Sequence, residues 1–535
     1  MKHRQRHSEN WTKQINKHWE KQMATIKITD DYDELDLQIG KTGEVLSSVI
    51  LKLETEISAP IYLYLYAPNG DYLGGLWTAM TNMPTCLILG ESFWSLNGKR
   101  TKLIGGFYRL VMTGMHKLGQ SIGTLSYDCD LSLEECSRFL GPLPSGFLLT
   151  EHVVQKVENP TDVLLEKSQS TNISERQRIN AAHLKLFKGD FHSHTWFSDG
   201  HMTYREASDV ITSQKLDFIA LTEHNAIDLN TYDFGAVLIP SFELTLPKGH
   251  FNIHGIRRHA VISEAGIDYL NTLESIDALE ANGLLRQYRP NAFITLNHMF
   301  MEPWHCHDGA LEMKFIDAIE VICDPTYPTA AQANDRAVKF LDFLWQKGVR
   351  IFGVGGSDSH NKREEHYEDA ILPSLYGDPA TYVYSETNAA EMILSHASQG
   401  HMIVARFVNL HISINMGEIL PGQLIETDAV QVIQYEVSIN WPDTYEGIAT
   451  EILLRDAKCQ FIVNGDIVKA TKLVNHTVYQ MTASVHAKED FWMRFGIVDG
   501  EGHVVAYVNP IYNRRESVMR KTYKTYLEEF NNIND

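Results

Sequence analysis

The sequence predicts an α/β fold: a barrel assembled from alternating strand and helix units, flanked on both sides by β-rich, sandwich-like domains. Three observations carry that expectation. Between residues 186 and 408 short apolar runs alternate with helical patterns, as in βα units built around parallel strands. Five of those runs end in His, Asp or Glu, and barrels of parallel strands collect their functional groups at the carboxyl ends of the strands. On either side of this stretch the hydrophobic period drops to two, that of half-buried strands.

With 535 residues the chain exceeds what one hydrophobic core organises, so several domains are expected. The composition divides it into a β-rich accessory domain at 1–150, a linker ending in a helix at 151–185, the barrel at 186–408, a C-terminal β-sandwich at 409–520 and a polar tail at 521–535. No apolar run approaches the roughly 20 residues of a membrane span, so no membrane partner is expected. The first 21 residues are polar and lack the apolar core of a secretory signal, which makes the cytoplasm the expected location. Six cysteines without C-x-x-C spacing argue against a disulfide framework and against a zinc ribbon. A net charge of −21 argues against nucleic acid as a partner, because phosphates are held by clustered Lys and Arg.

In chain order, residues 61–66 (IYLYLY) alternate aromatic and aliphatic side chains, a turn signal follows at 68–71 (PNGD), and a strand resumes at Tyr72. Residues 107–112 supply another strand. The aromatic alternation reads as a glycan- or protein-contact surface or, more simply, as core and cross-strand pairing. A helix is expected over 203–215, where Ala207, Val210 and Ile211 share a face. A second is expected over 334–347, with Val338, Leu341, Leu344 and Trp345 on one face and Gly348 as its stop. Adding 252–256 and 316–322 to the five runs gives seven strand candidates, which suggests a closed or nearly closed barrel. Residues 430–438 and 491–498 alternate again, and 499–502 (DGEG) is a turn.

The five runs are KGDFHSH (188–194), DFIALTEH (217–224), VLIPSFE (237–243), AFITLNH (292–298) and RIFGVGGSDSH (350–360). His192 and His194 lie two apart, so on an extended strand their imidazoles point the same way and can share one ion. Asp199, in a Ser-Asp-Gly turn, can return a carboxylate to the site, and Glu243 can bridge two cations. Asp358 and His360 repeat the two-residue spacing after a strand whose Gly353, Gly355 and Gly356 let the backbone approach the site. Imidazole with carboxylate suits Zn²⁺, Mn²⁺ or iron.

In this order, His192-Ser-His194 with Asp199, Thr222-Glu-His224, Glu243, Asn297-His298 and Ser357-Asp358-Ser-His360 resemble the PHP (polymerase and histidinol phosphatase) metallohydrolases. Gly249-His-Phe-Asn252 and Ala506-Tyr-Val-Asn509 resemble the carbaryl-hydrolase-like (CehA/McbA) branch of that group. The resemblance spans roughly residues 185 to 515 and implies a distorted PHP-type (βα)7 barrel with two or three divalent ions, Zn, Mn or Fe. It would place the first ion on His192, His194, Glu243 and Asp358. Glu243 would bridge to a second, bound also by His298 and by His250 or His254. Asp199, His224 and His360 would hold a third. Glu223 stands where the family shows Asp, a position that orients an imidazole, so a shifted geometry is implied there.

Clustered divalent ions make hydroxide available near neutral pH, for attack on phosphorus or on a carbonyl carbon. His250 or His254 is the candidate to protonate the leaving group. Lys362 and Arg363 either receive a substrate phosphate or belong to a self-paired charge run with Glu364 and Glu365. His305 and His307 have metal-like spacing in a loop past His298, where a substrate lid is one reading, and Cys306 and Cys323 read as buried and inert. The expectation is a metal-dependent hydrolase of a small molecule, a phosphoesterase first and a carboxyl ester, carbamate or amide hydrolase as the alternative. A non-catalytic glycan- or protein-binding scaffold is the third reading, opposed by the completeness of the ligand set.

Overall fold

The computed structural model describes residues 22–28, 32–57, 61–77, 86–95, 98, 100–114, 121–140, 148–150, 184–224, 233–246, 248–255, 285, 292–307, 309–425, 430–486, 488–516 and 518–534. The linker expected before residue 184 lies outside them. The chain divides into two compact units, one of residues 1–78 and 84–154, the other of 79–83 and 155–535.

In the first unit, Gln22–Ile28, Ser121–Cys129, Ser48–Ile57 and Cys86–Gly90 form one antiparallel sheet, in that order, and Tyr32–Ile39, Gly106–Gly114, Ile61–Tyr66 and Tyr72–Trp77 form another. Leu51, Leu53 and Leu125 of the first sheet share an apolar core with Leu37, Leu63, Leu65 and Leu110 of the second. The alternation at 61–66 works as strand logic requires: Leu63 and Leu65 enter this core. Tyr64 and Tyr66 point to the opposite face and are nevertheless buried, with the Arg109 guanidinium 4.9 Å over the Tyr66 ring.

The second unit is mixed α/β, with many strands and few helices among its described residues. Its first sheet begins with Val237–Leu238, Phe218–Ile219 and Lys185–Asp190, which are mutually parallel. It continues through Ala380–Ser385, Met402–Ala405, Val504–Val508, Trp492–Val498 and Lys458–Val463 to Asp466–Lys472. The ladder thus crosses the boundary expected at 408/409: Ile403 pairs with Val508, because both strands are buried on both faces and need neighbours on both edges. A three-stranded sheet of Asn409–Ile414, Gln431–Asn440 and Thr477–Val485 packs Ile412, Ile433, Tyr435 and Val437 against Phe461, Phe495 and Val505.

The other sheet of this unit holds Ser241–Leu246, Gly249–His254, Phe293–Leu296, Ala318–Cys323 and Phe352–Gly356. Here the expected run of parallel βα units is interrupted. Ser241–Leu246 and Gly249–His254 form an antiparallel hairpin, and Phe293–Leu296 is also antiparallel to its neighbour. The strand expected at 252–256 starts at Gly249 and stops at His254, where Gly255 takes φ +81°. Two parallel backbone bridges, Ser193 to Ser359 and His224 to Glu243, join the continuations of Lys185–Asp190 and Phe218–Ile219 to the two edge strands of this second sheet.

The helix expected at 203–215 is Tyr204–Gln214, with Thr203 and Glu206 completing a capping box and Lys215 in the left-handed conformation at its end. The helix expected at 334–347 begins earlier, at Ala330, and runs to Gln346. Its Trp345 packs on Phe352 and Tyr512. The tail at 521–535 is more than polar chain. Tyr523–Asn534 is a helix whose buried Tyr523 and Phe530 pack on Phe340, an amphipathic 3/4 spacing hidden among polar neighbours.

Candidate metal centre

Strand ends deliver the expected residues to one place. Asp358 Oδ1 lies 3.1 Å from Nε2 of His192 and 3.1 Å from Nε2 of His194, so the two-residue spacing does aim both imidazoles at one point. Glu243 sits centrally: its Oε1 is 3.5 Å from His192 Nε2, 3.4 Å from His298 Nε2 and 3.1 Å from His250 Nδ1. Its Oε2 is 2.8 Å from His224 Nδ1 and 3.6 Å from His194 Nε2. Asp199 reaches His224 Nε2 at 3.2 Å and His360 Nε2 at 3.3 Å. His360 faces Asp199, and its Nδ1 bonds the Asp358 carbonyl oxygen at 2.7 Å.

Potential ligand atoms fall into overlapping groups, each with its members within 4.8 Å of one another: His194, Asp199, His224 and His360; His192, Glu243 and His298; His192, His194 and Asp358; and His192, Glu320 and Cys323. The donor set fits divalent ions. His192 Nε2 and both ring nitrogens of His194 are buried without a hydrogen bond, although carboxylate oxygens face them at 3.1 to 3.9 Å. Two ligand atoms on one ion are themselves about 3 to 3.5 Å apart, whereas a hydrogen bond also needs the N–H aimed at the oxygen.

The electrostatics suit the same occupant. Burial alone would push the Glu243, Asp199 and Asp358 carboxyls up, but the surrounding imidazoles hold all three well below the ordinary carboxylate range. Burial and the neighbouring His360 and His224 bring His194 down to about 3, so it is a neutral donor. Burial opposes protonation of His192 too, yet Asp358, Glu320 and Glu243 hold its pKa well above the ordinary value in the ion-free protein. Anionic oxygens around imidazoles, away from water, are a cation site that protons fill when metal is missing.

The two candidate acids part company. His250 lies at the edge of the cluster, 12% exposed, with its ring centroid 6.3 Å from that of Trp304. His254 is fully buried four residues further along the hairpin strand, hydrogen-bonded to Ser241 Oγ at 2.8 Å and packed on Phe191 and Phe293. It stands in the apolar interior, at hydrogen-bonding distance from none of the cluster's carboxylates. Lys362 and Arg363 are both engaged by carboxylates, Lys362 with Glu206 at 2.8 Å and Arg363 with Glu446 at 2.8 Å. His305 and His307 bond one another at 2.7 Å, and Glu302 lies 2.9 Å from His305. Cys306 and Cys323 are buried.

Glu223 engages the turn that precedes Asp199. Its carboxylate accepts from Thr195 N at 3.1 Å, Thr195 Oγ1 at 2.5 Å, Ser198 N at 3.1 Å and Ser198 Oγ. It braces the loop that carries Asp199.

Sequence reasoning gave no role to three supporting residues. Asp190 accepts from the backbone N–H groups of His192, Ser357 and Gly377 beneath the site, and burial raises its pKa to about 6. Asn297 donates to Glu243 Oε1 at 2.9 Å and accepts from Asn252 N. Glu320 lies 2.7 Å from His192 Nδ1 and accepts from His298 N at 2.9 Å. The available signal was a lone polar residue inside each apolar run, most plainly Glu320 in AIEVIC (318–323).

No family model matches the chain, and no curated protein matches it. Solved structures with a detectable likeness include a two-domain protein from Bacteroides vulgatus containing a predicted PHP-like metal-dependent phosphoesterase. It is 16% identical, with 64% of this chain and 100% of that one covered and a TM-score of 0.33. Others are a candidate metal-dependent phosphoesterase from Bifidobacterium adolescentis (13% identical, 34% and 92% covered, TM-score 0.24) and an amidohydrolase from Chromobacterium violaceum with bound sulfate and no metal (15% identical, 34% and 91% covered, TM-score 0.24). At these scores the likeness assigns neither fold nor activity to this chain.

Proposed function

We propose that this protein is a metal-dependent hydrolase whose centre holds two or three divalent ions (Zn, Mn or Fe) on His192, His194, Asp199, His224, Glu243, His298, Asp358 and His360. The observation that carries the reading is the sharing of ligands: His192, His194 and Glu243 each face two or more of the other groups at 3 to 4 Å inside a buried cluster. Such sharing spaces neighbouring ions a few ångströms apart, as two-metal hydrolytic sites require. The pairings of the two sheets, taken with the two bridges, run in a circuit through the strands at 185, 218, 237–246, 249, 293, 318 and 352. That circuit supports the PHP-type seven-strand barrel as the architecture behind the site.

When bound, the ions supply a nucleophilic water near neutral pH and a Lewis acid for the developing negative charge. The chain's own groups do the rest. Asp190 and Glu320 hold His192 in place from below, and Asn297 orients Glu243. His250, kept neutral because burial lowers its pKa, gives Nδ1–H to Glu243. Its Nε2 therefore carries the lone pair, set to take a proton from the attacking water and return it to the leaving oxygen.

A phosphoester of a small molecule is the first substrate class. The carboxyl ester, carbamate or amide class is favoured by one specific observation: Lys362 and Arg363, the cations nearest His360 in sequence, are already neutralised by Glu206 and Glu446. Metal analysis of the purified protein, with hydrolysis of p-nitrophenyl phosphate, bis-p-nitrophenyl phosphate and p-nitrophenyl acetate, tests the proposal. Bound ions, and activity on one class that vanishes in His192→Ala and Asp358→Ala, are expected. A folded protein that takes up no Zn²⁺, Mn²⁺ or Fe²⁺ and cleaves none of these would overturn it.

A further inference from the structure

We infer that Glu320 is a positioning residue that sets the affinity of the ions bound through His192 and His298, and leaves the ion on His194, Asp199, His224 and His360 unaffected. The inference rests on the metal-centre reading above. Glu320 is 2% exposed, in a strand whose other five residues are buried and apolar. A carboxylate so placed is tolerated only where donors satisfy it. Two do, one on each oxygen: His192 Nδ1 at 2.7 Å on Oε1 and the backbone N–H of His298 at 2.9 Å on Oε2.

Each contact has a consequence for metal binding. With Nδ1 protonated and bonded to Glu320, the lone pair of His192 is fixed on Nε2, the atom facing Glu243 and Asp358. His298 adopts φ +24°, left-handed backbone that a non-glycine residue rarely occupies, and its N–H is tied to the same carboxylate. One side chain therefore fixes a tautomer in one ligand and a backbone conformation in another. Both groups containing His192 with Glu243 or Asp358 depend on it, while the four-residue group around Asp199 contains neither His192 nor His298.

Glu320→Gln separates this role from general packing. A carboxylate accepts on both oxygens, whereas the isosteric amide accepts on one side and donates on the other, so one of its two partners must be left unsatisfied. If the amide N–H₂ faces His192 Nδ1, the imidazole proton moves to Nε2, which then cannot ligate. If it faces His298 N, the left-handed turn loses its tie.

The experiment is zinc titration and elemental analysis of wild type, Glu320→Gln, Glu320→Asp and Cys323→Ser, with melting of each ion-free protein as the folding control. In Glu320→Gln the ions bound through His192 are expected to weaken by roughly 10- to 100-fold, with one ion retained and then lost on adding His360→Ala. Glu320→Asp, which keeps both acceptors, recovers part of the affinity. Unchanged stoichiometry and affinity in Glu320→Gln would overturn the inference, as would uniform loss of all ions with a lowered ion-free melting point. Lowered affinity in Cys323→Ser, with a thiolate charge-transfer band in the cobalt-loaded wild type, would make Glu320 and Cys323 direct ligands and also overturn it. A wild type that binds no ion at all instead defeats the metal-centre reading itself, a result separable from the others.

Discussion

His224 and Glu243 meet twice. Their backbones pair in a parallel bridge between the two sheets, and their side chains approach to 2.8 Å between Nδ1 and Oε2. The central carboxylate of the site is therefore held where Ser241–Leu246, an edge strand of its sheet, meets the continuation of Phe218–Ile219 in the other.

Glu243→Gln tests that relationship. Removing the one carboxylate that faces His192, His194, His224, His250 and His298 leaves five imidazoles around a neutral amide. Zinc or manganese content measured by elemental analysis is expected to fall by at least one ion. Metal is expected to raise the melting temperature of the wild type with the logarithm of its concentration, and this rise should be smaller in the variant.

Gly356→Ala addresses the glycine-rich strand end. A Cβ at this position would stand 2.2 Å from His192 Cβ and 2.9 Å from Glu320 Oε1, so the His192 strand or its own must move. Loss of activity and of metal is expected, with destabilisation of about 1 to 3 kcal/mol from overpacking, readable by urea denaturation. Gly43→Ala, where nothing lies within 4 Å but φ is +84°, is the control for backbone strain without a site effect.

Glu223→Ala releases the Thr195–Ser198 loop. Four donors lose their shared acceptor, and buried unsatisfied donors cost about 1 to 3 kcal/mol each at most. The ion on Asp199, His224 and His360 is expected to weaken more than those on His192. Comparing zinc stoichiometry with that of His360→Ala checks it; equal retention of all ions would refute the bracing role.

His503 gives a pH signature remote from the site. Its hydrogen bond to Asp335, 2.8 Å from Nδ1, holds the imidazole pKa above 6.5 in the folded protein. A raised folded pKa stabilises fully below the unfolded value and ceases to do so as pH rises through the folded one. His503→Gln should therefore lower the melting temperature at pH 5.5 and leave it unchanged at pH 9. The exposed setting limits the effect to under about 1 kcal/mol.

Much of the site is legible in the chain because most of its residues follow apolar runs. His192, His194, His224, His298 and Asp358 each lie just past a buried strand, where a polar group has few reasons to be apart from chemistry; Glu243, which ends an apolar run in the sequence, sits inside the strand Ser241–Leu246. The strands at 61–66 and the helix at 204–214 were legible for a similar reason: alternation and capping are local properties, written within a few residues. The three-dimensional arrangement decided what depends on distant partners. Whether the strand at 249–254 runs parallel or antiparallel is set by the short connection from Leu246, not by its own pattern. Whether the strands near 405 and 505 belong to one sheet is set by which edges remain unpaired.

The same division runs through the metal centre. Residue types and spacing nominated the ligands, since imidazole and carboxylate are chosen by the chemistry of the ion. Only the folded chain separated His250, beside Glu243, from His254, sealed among phenylalanines four residues away on the same strand. It also set the Glu223 carboxylate against Thr195 and Ser198, and brought Glu320, 128 positions from His192, against its ring. Hydrogen-bond partners act over about 3 Å, and no local pattern in a sequence records which buried donor will arrive there.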